Sequence, residues 1–232
     1  MPRPSLILVP GLACTAELWR DQAAALADVA DIKITDEHLR HEGIGAIATG
    51  ILASAPDRFA LAGLSMGGYV VLEIMRRAPE RVRGLVLLDT SARADTREQT
   101  ARRRTLIALA KTSGMTAVIE ELLPFMFHPD RLGDRDLTSR ATAMGERCGV
   151  DAFVRQQHAI IDRPDSRGSL REIACPTIVA CGDADLITLP DWSQEMAAMI
   201  PNARLTMIGA CGHMSSMERP SLVTEILRSS LI

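Results

Sequence analysis

The chain has 232 residues, 47% of them hydrophobic, and a formal net charge of -3. This length and hydrophobic content favour one continuous core with at most a modest insertion, and argue against two unrelated large domains. The weak negative charge and the absence of a basic amphipathic segment argue against nucleic-acid and membrane binding. We therefore expect a small molecule as the substrate or ligand.

The amino-terminal residues lead directly into an apolar run at residues 5–9, which Pro10 and Gly11 end. This run is too short for the hydrophobic core of a signal peptide, and no run in the sequence approaches the length of a membrane span. The five cysteines are odd in number and lack the paired spacing of a metal site, which favours reduced thiols. We therefore expect a cytoplasmic protein without a metal ion.

Six short apolar runs alternate with longer amphipathic stretches along the chain. The apolar runs, which are typical of strands buried on both faces, lie at residues 6–9, 32–35, 59–64, 84–88, 177–181 and 204–208. The stretches with helical spacing lie at residues 19–28, 44–53, 67–77, 192–200 and 221–231. Strands that alternate with helices predict an α/β fold, with a mainly parallel six-stranded sheet and helices on its faces.

The alternation stops between residues 92 and 172, where polar-rich helical stretches follow one another. This segment begins just after a predicted strand, so we expect it above the carboxyl ends of the strands, where open α/β sheets bind ligands. The sequence predicts a core of residues 1–91 and 173–232, with a helical cap inserted at residues 92–172.

A Gly-x-Ser-x-Gly pattern at residues 63–67 places Ser65 between a buried strand and the start of a helix. A serine nucleophile needs this setting, because a sharp turn exposes its hydroxyl and the glycines on either side leave room for the turn. The alternative is a serine that caps an ordinary helix. The strand, turn and helix together favour Ser65 as a nucleophile.

A serine hydroxyl needs a base to accept its proton, and a histidine held by a carboxylate serves near neutral pH. His213 follows the last predicted strand in a glycine-rich loop and is the best candidate base. Two acids, Asp183 and Asp185, follow the preceding strand; we favour Asp185, and the alternatives are that Asp183 is the partner of the histidine or that both acids cap the next helix. The other histidines are interpreted as surface or cap residues: His38, His41, His128 and His158.

Acyl transfer also requires N–H donors for the negative charge that develops on the carbonyl oxygen. Met66 directly follows the candidate nucleophile and can supply one backbone N–H. Leu12, in the loop after the first strand, can supply the second.

Three motifs resemble those of the α/β-hydrolase fold family, and the resemblance covers nearly the whole chain. They are Gly-Leu-Ser-Met-Gly-Gly at 63–68, Gly-Asp-Ala-Asp-Leu-Ile-Thr-Leu-Pro at 182–190 and Gly-His-Met-Ser-Ser-Met-Glu-Arg-Pro at 212–220. The resemblance implies that Asp185 is the catalytic acid and that Leu12 and Met66 form the oxyanion hole. Residues 83–93 are also similar to the matching strand of 3-oxoadipate enol-lactonases and small carboxylesterases.

The sequence departs from that family in two places. Many members have histidine where this chain has Pro10, and the two antiparallel strands that usually begin the fold are not evident. The serine argues against the dehalogenases of the family, which use an aspartate nucleophile.

These observations predict a serine hydrolase that cleaves a small carboxylic ester or lactone through an acyl-enzyme, with no cofactor. Alternatives on the same fold are a lyase, a cofactor-free peroxidase or a receptor with slow turnover. For substrate binding we expect an apolar pocket that includes Phe125, Met126 and Met144, although such residues often form a cap's own core. A group of arginines is interpreted first as an exposed helix face and second as a site for a substrate carboxylate: Arg97, Arg102, Arg103 and Arg104.

Overall fold

The six apolar runs form one six-stranded sheet in the computed structural model, which describes residues 3–231. The strands are β1 (Ser5–Val9), β2 (Asp31–Ile34), β3 (Phe59–Leu64), β4 (Val82–Leu88), β5 (Thr177–Gly182) and β6 (Arg204–Ile208). All neighbouring strands are parallel, and their order in the sheet is β2-β1-β3-β4-β5-β6. The predicted fold class is confirmed.

Eight α-helices connect or follow these strands in the described chain. They are α1 (Arg20–Leu26), α2 (Ile44–Ser54), α3 (Met66–Arg77), α4 (Arg97–Met126), α5 (Arg135–Ile161), α6 (Pro190–Met199), α7 (Ser215–Glu218) and α8 (Pro220–Ser229). Short 3-10 helices lie at Ala16–Trp19, Glu37–Leu39, Pro79–Arg81, Pro129–Arg131 and Arg167–Glu172. No helix within residues 3–231 is long and apolar enough to cross a bilayer.

The core lies on both faces of the sheet, because successive side chains of a strand point in opposite directions. In β1, Leu6 and Leu8 belong to one hydrophobic cluster, whereas Ile7 and Val9 belong to the other. All four side chains are at most 1% exposed. The central strands are therefore covered on both sides, as their unbroken apolar sequences predict.

The two edge strands are less buried than we expected. Every residue of β2 is exposed or half-buried, and in β6 only Ile208 is buried. Leu205 and Met207 of β6 remain 41% and 39% exposed. The expectation of burial on both faces is therefore wrong for β2 and β6, because strands at the edge of a sheet have fewer packing neighbours.

Between β4 and β5 the described chain is helical, and its two long helices pack against each other. Each helix is interrupted by a glycine with positive φ, Gly114 in α4 (φ 81°) and Gly149 in α5 (φ 77°). Glycine tolerates this left-handed conformation because it has no Cβ. The position of these helices agrees with the predicted cap at residues 92–172. The division of the chain into a core and a separate cap domain remains a prediction.

Candidate active site

Ser65 is the one residue between strand β3 and helix α3, and its backbone is strained. Its φ of 56° and ψ of -116° lie where residues other than glycine are uncommon. Three hydrogen bonds hold the turn: Ser65 N donates to Leu88 O (3.0 Å), and Ser65 O accepts from Gly68 N (2.9 Å) and Thr90 Oγ1 (2.7 Å). Its side chain makes no capping hydrogen bond, which argues against a simple helix-capping role.

The two glycines of the motif are required by close backbone contacts. A Cβ on Gly63 would overlap the carbonyl group of Gly67, and a Cβ on Gly67 would overlap the carbonyl oxygen of Val9. The end of strand β1 and the turn therefore pack with no room for a side chain at Gly67. This packing leaves the Ser65 side chain partly accessible at the end of the sheet.

Asp185 and His213 form a buried pair at the neighbouring strand ends. His213 Nδ1 lies 2.8 Å from Asp185 Oδ2, and the two residues are 4% and 1% exposed. Asp183 is exposed and instead accepts a hydrogen bond from Cys211 N (3.2 Å). The structure thus brings Asp185, and not Asp183, to the histidine.

The loop around Asp185 presents several donors to its carboxylate. Oδ1 accepts hydrogen bonds from Ile187 N (2.8 Å) and Thr188 N (2.9 Å), and Oδ2 accepts one from Thr188 Oγ1 (2.7 Å). Burial opposes the ionised form, but attraction to His213 and these hydrogen bonds outweigh it and lower the pKa of Asp185. Burial likewise opposes the imidazolium, but attraction to Asp185 outweighs it and raises the pKa of His213.

Leu12 and Met66, the two predicted oxyanion-hole residues, both lie close to Ser65. Met66 is the first residue of α3, where the N–H has no acceptor within the helix. A Cβ on Gly11 would lie 3.4 Å from Ser65 Cβ, which shows how closely the Leu12 loop approaches the serine. Ala13, the residue after Leu12, has a φ of 57° and donates its N–H to Gln156 Oε1 of α5 (2.9 Å).

Ser65, His213 and Leu12 line one cavity of about 260 Å³. No hydrogen bond joins Ser65 to His213 within the described residues, and such bonds are often long before substrate binds. A larger cavity of about 660 Å³ lies beside β1 and β2, around Arg3 and Lys33. It contains neither the serine nor the histidine, so the smaller cavity is the candidate site.

The residues predicted for substrate binding are only partly brought to this cavity. Met126 lines it, but Met144 is 1% exposed in the hydrophobic core, and the Phe125 ring lies against the Arg102 guanidinium group (4.4 Å) without lining the cavity. The prediction that Met144 and Phe125 line the substrate pocket is therefore wrong. Met144 packs within the core, and the Phe125 ring supports Arg102. Arg102 and Arg103 do line the cavity, although Arg102 is exposed, as are Arg97 and Arg104, and Arg103 is half-buried.

Two buried acids near the site were not singled out from the sequence. Asp89, which directly follows β4, accepts hydrogen bonds from Gly182 N (2.9 Å) and the Ser215 hydroxyl. Burial and the nearby charge of Asp185 raise the pKa of Asp89. Its place at the carboxyl end of a strand, as the first polar residue after a long apolar run, was the available signal.

Glu218 anchors the loop that carries the histidine. Its carboxylate accepts hydrogen bonds from Gly212 N (2.8 Å) and from His128 N (3.0 Å), which follows α4. Glu218 is 2% exposed, and burial raises its pKa. The same carboxylate therefore contacts the residue before His213 and the segment between the two long helices of the insertion.

His38 differs from the surface position that we expected. It is 1% exposed, and its Nε2 donates to Cys14 O (2.9 Å) beside the Leu12 loop. Gln156 Nε2 in turn donates to His38 O (3.2 Å). Burial lowers the pKa of His38, so it acts as a neutral hydrogen-bonding residue.

Asp89, Cys181 and Asp185 are the one group of possible metal ligands that lies close together in residues 3–231. All four carboxylate oxygens already accept hydrogen bonds from protein groups. Burial also raises the pKa of the Cys181 thiol, which disfavours the thiolate that binds metals. This arrangement is better suited to orienting the histidine loop than to holding a cation.

Comparisons with known proteins agree with the fold. The model of the alpha/beta hydrolase family matches residues 6–226. The chain is 26% identical to a candidate carbamate hydrolase, RutD, of Pseudomonas savastanoi, over 94% of this chain and 89% of that protein. It is 25% identical to a pimeloyl-[acyl-carrier protein] methyl ester esterase of Aromatoleum aromaticum, over 98% and 100%. The solved enol-lactonase of Burkholderia xenovorans has a TM-score of 0.91 at 24% identity, over 100% of this chain and 92% of that one.

Proposed function

Because the chain belongs to the alpha/beta hydrolase family, we propose that it hydrolyses a small-molecule carboxylic ester or lactone through Ser65, His213 and Asp185. One observation supports this most strongly: Ser65, in its strained turn, lines the same cavity as His213, which Asp185 orients at 2.8 Å. The cavity of about 260 Å³ suits a small substrate.

In the proposed reaction, Asp185 holds His213 through Nδ1, which leaves Nε2 free to accept a proton. Nε2 takes the hydroxyl proton of Ser65 as Oγ forms a bond to the substrate carbonyl carbon. The N–H groups of Leu12 and Met66 stabilise the resulting oxyanion. The carbon–oxygen bond to the leaving group then breaks, and His213 returns the proton to the departing alcohol.

Water completes the cycle. His213 removes a proton from a water molecule, whose oxygen attacks the acyl-enzyme carbonyl, and Ser65 regains its proton when the acid leaves. In this account the chain supplies every group that the reaction needs, and the cofactor-free prediction from the sequence is kept as part of the proposal.

The experiment that tests this function is hydrolysis of p-nitrophenyl esters, from acetate to longer acyl chains, by the wild type and Ser65→Ala. Ser113→Ala, an exposed serine in α4, is the matched control. We expect turnover in the wild type and the control, and loss by a factor of about 10³ or more in Ser65→Ala. A p-nitrophenyl carbamate belongs in the panel because one relative is named for carbamates.

Each contrary outcome has a distinct meaning. Full activity in Ser65→Ala would overturn the nucleophile. A product that forms by bond cleavage without water, or halide-dependent oxidation, would favour a lyase or a cofactor-free peroxidase. Absence of turnover combined with strong stabilisation by ligand would favour a receptor.

A further inference from the structure

The carbonyl group of Ser65 and the N–H of Met66 belong to one peptide unit. In the proposed reaction this N–H is one of the two donors that stabilise the oxyanion. A peptide unit is planar and almost always trans, so the direction of its C=O fixes the direction of its N–H. Any group that holds the carbonyl oxygen of Ser65 therefore also aims the N–H of Met66.

Thr90 holds this carbonyl oxygen from outside the helix. Its hydroxyl Oγ1 donates a hydrogen bond of 2.7 Å to Ser65 O, and the residue is completely buried. Gly68 N also donates to Ser65 O (2.9 Å), but that bond lies within the first turn of α3 and moves with the helix. The hydroxyl of Thr90 instead comes from the segment after β4, so it fixes the peptide unit relative to the sheet.

The end of strand β4 holds both backbone groups of the nucleophile. Leu88, the last residue of β4, accepts a hydrogen bond from Ser65 N (3.0 Å), and Thr90 donates to Ser65 O. Asp89, the residue between them, has a φ of 42° and turns its carboxylate towards Gly182 N of the neighbouring strand β5 (2.9 Å). Leu88 and Thr90 thus bracket the strained turn on the β3 side of β4.

Gly68 provides the space that Thr90 needs. A Cβ on Gly68 would overlap Oγ1 and Cβ of Thr90. Glycine weakens a helix relative to alanine, so a glycine inside α3 needs a packing reason, and this contact supplies one. Gly68 is the last residue of the Gly-Leu-Ser-Met-Gly-Gly motif, whose other two glycines are explained by contacts within the turn and with β1. Two positions far apart in the sequence therefore serve the same hydrogen bond.

We propose that Thr90 is a positioning residue for the oxyanion hole: its hydroxyl orients the peptide unit whose N–H, at Met66, stabilises the oxyanion. This inference rests on the proposed hydrolase function, because it adds a residue to the same oxyanion hole. The hydroxyl restricts rotation of the peptide unit, so the N–H is aimed before negative charge develops. It also polarises the unit, because hydrogen bonds in a chain strengthen one another. Thr90 does not line the cavity and moves no proton.

The test measures hydrolysis of p-nitrophenyl acetate by Thr90→Val and Thr90→Ser. Valine has the shape of threonine without the hydroxyl, and Ser65 O keeps its bond from Gly68 N, so the variant should fold. We expect kcat to fall about tenfold with little change in KM, because the lost stabilisation affects the oxyanion more than the bound ester. Thr90→Ser keeps the donor and should recover most of the loss. Thr177→Val is the matched control, because this buried threonine donates to Cys175 O (3.0 Å) at the opposite end of β5.

Inhibition by trifluoroacetophenone tests the oxyanion hole directly. The serine hydroxyl adds to the ketone carbon of this compound, and the ketone oxygen becomes an oxyanion like that of the reaction. The inhibition constant should therefore rise in Thr90→Val by about the factor by which kcat falls. Unchanged kcat and inhibition in Thr90→Val would overturn the inference. Equal losses in Thr90→Val and Thr90→Ser would also overturn it, because they would assign the effect to packing and not to the hydroxyl.

Failure of this inference differs from failure of the proposed function. Full activity in Ser65→Ala would overturn both. Hydrolysis that requires Ser65 but is unchanged in Thr90→Val would overturn the inference alone. A wild type that hydrolyses no ester, yet binds trifluoroacetophenone through Ser65 more tightly than Thr90→Val does, would support the inference and overturn the hydrolase proposal.

Discussion

Gln156 Oε1 accepts a hydrogen bond of 2.9 Å from Ala13 N, which connects helix α5 to the residue after Leu12. Both residues are buried, and Ala13 has a left-handed backbone that needs support. The helical insertion therefore contacts the loop that we propose as half of the oxyanion hole. This contact suggests that the insertion both covers the site and holds a catalytic N–H in place.

Gln156→Met should lower kcat by about tenfold, less than the factor of about 10²–10³ that complete loss of an oxyanion donor costs. Methionine fills the space but leaves the Ala13 N–H buried without an acceptor, so we also expect a loss of about 1–3 kcal/mol in the free energy of unfolding. Ester hydrolysis and urea unfolding measure the two effects. Gln157→Met, a buried neighbour that bonds Arg103 instead of this loop, should keep kcat near the wild-type value on a neutral ester.

The two acids of one loop should differ greatly in their effect on activity. Asp185→Asn should lower kcat by a factor of about 10³–10⁴, because it removes the charge, and its one amide oxygen stays with Ile187 N and Thr188 N while NH₂ faces His213 Nδ1. Asp183→Asn should have little effect, because Asp183 is exposed and its carboxylate accepts from Cys211 N instead of contacting His213. Single-turnover and steady-state assays with one ester make the comparison. Equal losses in the two variants would contradict the assignment of Asp185.

The pH dependence of kcat/KM should reveal the raised pKa of His213. The base must be neutral to accept the serine proton, so activity rises as pH increases through the pKa of His213 in the free enzyme. Attraction to Asp185 outweighs burial and raises this pKa above its ordinary value of about 6.5. We therefore expect the midpoint of the acidic limb above pH 6.5, measured with a substrate that does not titrate. A midpoint at or below 6.5 would show that burial dominates.

Asp89 should make the wild type less stable as pH rises. Its folded-state pKa is raised by burial and by Asp185, so the native state binds a proton that the unfolded state loses near pH 4. Between pH 4 and the folded-state pKa, stability therefore falls with increasing pH. Asp89→Asn, whose amide can still accept from Gly182 and donate to Ser215, should remove that part of the fall. Urea unfolding of both proteins at several pH values tests this, and parallel curves would contradict it.

The sequence predicted correctly those strands and turns whose position depends on local patterning. Ser65 lies between a six-residue apolar strand and a helix, and any chain with this pattern must turn sharply there. The strands were recognised for the same reason, because central parallel strands are unbroken apolar runs. Their order in the sheet and the exposure of β2 and β6 depend on packing between distant segments, which periodicity does not report.

The residues that were missed have partners far away in the chain. Gln156 is 143 residues from Ala13, and its sequence neighbourhood is that of any amphipathic helix. Met144 and Arg102 show the same difficulty. Met144 was expected in the pocket and lies in the core, whereas Arg102 was first interpreted as part of an exposed helix face and lines the cavity. Which face of a helix meets the substrate depends on how that helix is docked, and composition does not determine docking. The catalytic roles themselves remain predictions.

Glu218 offers a last test of how the histidine is positioned. Its two oxygens accept from Gly212 N and His128 N, so it joins the residue before His213 to the segment after α4. Glu218→Gln keeps one accepting oxygen and puts an NH₂ group against a backbone N–H. We therefore expect kcat to fall by about tenfold, which is the equivalent of one lost charged hydrogen bond. The change in KM should be smaller. Glu225→Gln, an exposed glutamate in α8, is the matched control and should behave as the wild type. A rise in KM without a change in kcat would mean that Glu218 shapes the cavity through the helical insertion instead of holding His213.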